Sequence, residues 1–77
     1  MQISSQAMQF LKEWCSSAEE AERYLFDEDI IDPTKLKKLL YRIAAEQRSY
    51  ATETDDVGEK EDLISWARKA ERAARTL

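Results

Sequence analysis

Histidine is absent from this 77-residue chain, and cysteine, glycine and proline occur once each. Each scarcity removes a class of explanation. Without histidine, neither Cys15 nor any serine has the usual general base for nucleophilic catalysis, and one thiol cannot assemble a zinc site of the Cys/His type. A lone cysteine also excludes an internal disulfide. A domain of this size buries only about 60% of its unfolded surface, so it usually needs a staple. With disulfide and metal set aside, pairing with another chain is the staple that remains. Few glycines and prolines mean few turns, and Ala, Leu, Glu, Lys, Arg and Gln favour helix throughout. No apolar run approaches bilayer length and no basic, apolar leader opens the sequence, so a reducing cytoplasm is the expected compartment.

What is present is helical periodicity with clear start signals. Asp32 before Pro33 places an N-cap acceptor ahead of a residue preset for the first helical position. Leu36, Leu39, Leu40 and Ile43 follow at helical spacing, with Tyr50 and Ala51 further along, which predicts a helix over about 33–52. Upstream, Ala7, Leu11, Trp14, Ala18, Ala21 and Leu25 recur at alternating spacings of four and three. That pattern predicts one helix over about 4–26, although Ser16 and Ser17 followed by Glu19 and Glu20 also resemble a capping box that could restart it. Ile31 is placed to fold back on Leu36 as a hydrophobic staple. The segment 52–59 holds the one glycine, Gly58, and reads as the flexible connector. A last helix over about 59–76 carries Leu63, Trp66, Ala70, Ala73 and Leu77 on one seam, widened by Ile64, Ala67 and Ala74; its small residues permit close helix approach.

The net charge of −4 conceals blocks of alternating sign: −6 over residues 1–34, +4 over 35–52, −5 over 53–62 and +3 over 63–77. Consecutive elements of opposite sign favour antiparallel neighbours, within one chain or between two. The expected fold is therefore all-α: an antiparallel helical hairpin of 4–26 and 33–52 followed by a C-terminal helix, in one domain spanning 1–77.

Three kinds of chemistry can be built on these residues. Glu19 with Glu22, and Glu59 with Asp62, each lie three apart on a helix and present paired carboxylates of the kind that hold Mg²⁺. On those four residues the pairing resembles the ExxE and ExxD signature of all-α nucleoside triphosphate pyrophosphohydrolases, which implies a Mg²⁺-dependent hydrolase as one alternative. Against it, the same spacing is expected of a solvated face in a chain with sixteen acids. Lys35, Lys37, Lys38, Arg42 and Arg48 could meet phosphates, with Tyr41 and Tyr50 available to stack. The simpler reading pairs that basic stripe with the acidic first helix, and the flanking acids would repel nucleic acid. A converse alternative has the acids imitate a DNA phosphate track. Cys15, beside the apolar stripe, reads as a structural thiol.

The aromatic residues carry the reading adopted here. Phe10, Phe26 and Tyr41 fall off the tightest stripes and are expected to be partly exposed, where large rings and arginines anchor partners; the alternative is that they widen the core stripe of a three-helix bundle. The expected function is a small non-enzymatic regulator, an adaptor or inhibitor of a larger cytoplasmic protein, acting by protein–protein contact as a homodimer. Phe10, Tyr24, Phe26, Tyr41 and Arg42 form the expected contact surface around the first hairpin, with Trp66 and Arg68 as a second. No catalytic, cofactor or metal-binding residue is assigned, and neither membrane nor nucleic acid is the expected partner.

Overall fold

The computed structural model describes residues 4–77, and over them the chain forms four helices and no strand: α1 (Ser5–Cys15), α2 (Ala18–Asp27), α3 (Pro33–Glu53) and α4 (Val57–Ala74). The all-α class is as expected, and the count differs by one. The single helix expected over 4–26 is two, because Ser16 takes a left-handed conformation (φ 76°, ψ −9°) and ends α1. Ser17 then caps α2, its Oγ accepting from the Glu20 N–H at 3.1 Å. The break swings Ala18 out to solvent while Ala21 and Leu25 return to the core.

The same local device opens every helix. Ser4, Ser17, Asp32 and Asp56 are extended residues whose side-chain oxygens each accept the N–H three positions on, at 2.8–3.1 Å. Each such cap stabilises its helix by about 1 kcal/mol. The α2 C-terminus ends in a Schellman motif, with the Ile30 N–H donating to the Leu25 carbonyl at 2.9 Å and the Asp29 N–H to the Phe26 carbonyl at 3.1 Å. Asp29 supplies the left-handed residue (φ 55°) that this motif requires. Ile30 accordingly packs on the core with Leu25. Ile31 is the one turned out, 65% exposed, so the expected staple onto the fully buried Leu36 does not form.

Helix α3 runs from its Asp32–Pro33 start to Glu53, and α4 begins at Val57, two residues earlier than expected. The connector is thus only 54–56, and it is tied down: the Asp56 N–H donates to Thr54 Oγ1 at 3.2 Å while Asp56 caps α4. Gly58 lies inside α4 with a negative φ, so this glycine marks no turn. The short connector makes α3 and α4 an antiparallel pair, and they are the most closely packed helices of the molecule. Small residues on α4 suit close packing: Ala67, Ala70, Ala73 and Ala74 are all buried in the common core. Helix α1 lies against α2 and α4. It runs antiparallel to α4, its N-cap Ser4 hydroxyl bonding Thr76 beyond the end of that helix. The first half of the chain meets α3 chiefly through side chains: Arg42 Nη2 donates to Glu28 Oε2 at 3.1 Å and Lys35 Nζ lies 3.8 Å from Asp29. These pairs are solvent-exposed and worth about 0–1 kcal/mol each, so they orient more than they stabilise.

The core is Leu11, Leu36 and Leu40, all fully buried, surrounded by Ala7, Phe10, Ala21, Leu25, Leu39 and Ile43. None of the described helices is long and apolar enough to cross a membrane.

Ser16 offers a direct test of the break. A side chain in the left-handed region costs roughly 1 kcal/mol, which glycine does not incur. Ser16→Gly is therefore expected to raise stability by about 0.5–1 kcal/mol, read from the urea midpoint. A midpoint that falls by the full cost of glycine's added freedom in the unfolded chain, about 0.4–1 kcal/mol, would mean that the αL conformation of Ser16 carries no strain.

Candidate interaction surface

The seam between α1 and α4 is built from rings. Phe10 and Trp14, one turn apart on α1, stack with centroids 5.8 Å apart and planes 16° from parallel. Trp66 of α4 meets both edge-on, at 6.0 Å from Phe10 and 5.3 Å from Trp14. Edge-to-face and stacked pairs of this kind add about 0.5–1.5 kcal/mol each beyond their buried area. Phe10 was expected to be partly exposed and is instead buried, 4% exposed. The reason is that α1 has two helical neighbours and needs a wider apolar face than one stripe. Trp14 and Trp66 are half-buried and present their outer edges to solvent.

Trp66 carries a cation on its open side, Lys69 Nζ lying 4.9 Å from the ring centroid. From there the outer face of α4 is basic. Arg68, Lys69, Arg72 and Arg75 are exposed and, among the described residues, none has a carboxylate at ion-pair distance. Glu71, the acid in this stretch, turns inward to Arg48 of α3. Two grooves flank the ridge, both bordered by Lys69 and Arg72. One runs between α1 and α4 over Phe10 and Ala73, with Gln6, Gln9 and Glu13 on its far wall. The other, on α4 itself, is lined by Glu61, Ile64, Ser65 and Arg68.

The residues expected to form one contact surface around the first hairpin are distributed over several places. Phe10 joins Trp66 in the ring cluster. Tyr24 and Arg42 meet across α2 and α3 beside Glu28, a polar brace. Its hydrogen bond to Glu28 raises Arg42 above its ordinary value. Burial and the nearby Glu28 charge raise Tyr24, with Arg42 pulling the other way. Phe26 stands 85% exposed on the outer side of α2. Tyr41 is exposed too, about 100° round α3 from Arg42 and so outside the brace. Arg68 belongs to the α4 ridge. Lys69 and Arg72, the centre of that ridge, were not among the residues expected to form a contact surface. Arg72 follows Arg68 by four and Lys69 by three, and that helical spacing was the available signal.

The other candidates stay separate. Glu19 and Glu22 lie on α2 and Glu59 and Asp62 on α4, two helices that do not pack together. No group of three or more potential metal-ligating side chains occurs among the described residues. Cys15 is half-buried, and burial, then the Glu20 charge, raises its thiol above the ordinary 9.0, which keeps it protonated and unreactive near neutral pH. Compared with protein-family models, curated proteins and solved structures, the chain matches none.

Proposed function

We propose that this protein is a small non-enzymatic regulator that acts through protein–protein contact, as an adaptor or inhibitor of a larger cytoplasmic protein and as a homodimer. The observation that supports this reading is the exposure of large apolar side chains outside the core. Phe26, Ile31 and Tyr41, between 41% and 85% exposed, lie within sixteen residues of one another in sequence, on a chain whose four helices already close its own core. Exposed rings of this kind beside arginines are where binding energy concentrates in interfaces.

The test is gentle co-purification of a tagged copy from its native cells, followed by native mass spectrometry. A second protein in fixed stoichiometry is the expected result, with Tyr41→Ala weakening its retention while helical content stays intact. Recovery of the chain without any other protein would end the adaptor or inhibitor reading.

A further inference from the structure

Two features of the surface are complementary and unaccounted for by the fold. The outer face of α2 presents Glu19, Glu22, Arg23 and Phe26, all exposed and at the spacings that share one helix side. Glu19 and Glu22 have no cation at ion-pair distance among the described residues, and Phe26 covers nothing. The α4 ridge offers the counterpart: Arg68, Lys69 and Arg72 without acids, beside a groove floored by Phe10 and Ala73 and closed by Glu13.

We propose that the α1–α4 groove receives α2 of a second copy of this chain, an inference that rests on the protein-contact reading above. Phe26 enters the groove over Phe10. Glu19 and Glu22 lie along Arg68 and Arg72, and Arg23 turns to Glu13 or Glu61, the acids that border the grooves. This is helix-in-groove recognition, with apolar anchors for affinity and charges for register. In a twofold dimer each chain gives its α2 and offers its groove, so the contact is made twice. A pairing of two α4 ridges face to face is excluded by like charge. A nucleic-acid strand is a poorer occupant, because its phosphates would pass Glu13 and Glu61, and the rings of the seam are engaged with each other and not free to stack.

The test is a charge exchange between exposed residues, read by sedimentation equilibrium. Wild type is expected to dimerise. R68E/R72E and E19K/E22K, each with wild-type helical content by circular dichroism, are expected to self-associate roughly tenfold or more weakly. Mixed in equal amounts, the two variants are expected to recover a dimer, since the acidic ridge of one takes the cationic α2 of the other and the reverse pairing is wild type. Phe26→Ala is expected to weaken the wild-type dimer without changing its fold. A wild-type chain that stays monomeric at millimolar concentration would overturn the proposal, as would a dimer indifferent to both reversals or a mixture that fails to reassociate. A duplex oligonucleotide retained by the wild type and lost in R68E/R72E, with no self-association, would assign the ridge to phosphate instead. Each of these failures leaves the co-purification test of a heterologous partner untouched, so the homodimer can fail while the adaptor or inhibitor reading stands.

Discussion

Trp66→Ala is expected to lower the stability of the fold by about 3 kcal/mol, near the lower end for removing a large aromatic side chain from a packed site. Trp66 is half-buried, which moderates the transfer cost, but it is the ring through which α4 contacts both Phe10 and Trp14. Its removal leaves those two stacked on each other with one edge facing a void, and frees Lys69 from its ring. Against a total stability of roughly 4–12 kcal/mol for a domain of this length, that is a large fraction. It corresponds to a fall in Tm of roughly 12–24 °C. Because the rings bridge α1 to α4, α1 is the element released, and limited proteolysis should cut first between α1 and α2. Trp66→Phe, which keeps a ring at the site, should recover more than half of the loss. A Tm within about 4 °C of wild type for Trp66→Ala would show that the seam does not depend on this cluster.

Ala70→Leu tests the other interface. Ala70 is fully buried on α4 in the common core, with Ala67 and Ala74 equally buried one turn to either side. Three added carbons have no space there unless the helices separate, and overpacking a close interface costs about 1–3 kcal/mol, with the upper end expected where backbones are already near. The expected result is a loss of about 3 kcal/mol in urea unfolding, even though leucine is as apolar as any residue in the core. Ser65→Leu, the same enlargement on the exposed outer face of α4, should change stability by less than about 0.5 kcal/mol. A wild-type midpoint for Ala70→Leu would mean that α4 is not packed closely into the core at its small residues.

The contrast between those two faces of α4 shows where reading the sequence succeeds. Ala67, Ala70, Ala73 and Ala74 were identifiable as a seam from spacing alone, and they are buried. Asp32–Pro33 marked the start of α3 correctly, since a cap and a fixed φ act within one turn. The restart at Ser17 was equally visible, as two serines followed by two glutamates, but the apolar spacing ran through it unbroken. Periodicity records the distance between apolar residues along the chain and not the direction of the axis that carries them. A helix can therefore stop, turn and resume in step. Phe10 was misplaced for a related reason: a stripe of one width presumes one neighbouring helix, and α1 has two.

The sequence by itself determined the all-α class, the Asp32 cap that opens α3, the small-residue face of α4 and the alternation of charge along the chain. Each follows from forces that act over a few residues: side-chain caps on free N–H groups, helix propensity, and the 3.6-residue repeat. Only the tertiary structure decided which helices lie together, that Phe10, Trp14 and Trp66 form one cluster, that Glu71 is drawn to Arg48, and that Arg68, Lys69 and Arg72 are left facing solvent. Those outcomes depend on burial and ion pairing between residues tens of positions apart, where chain spacing carries no information and the competition for a shared core selects the partner.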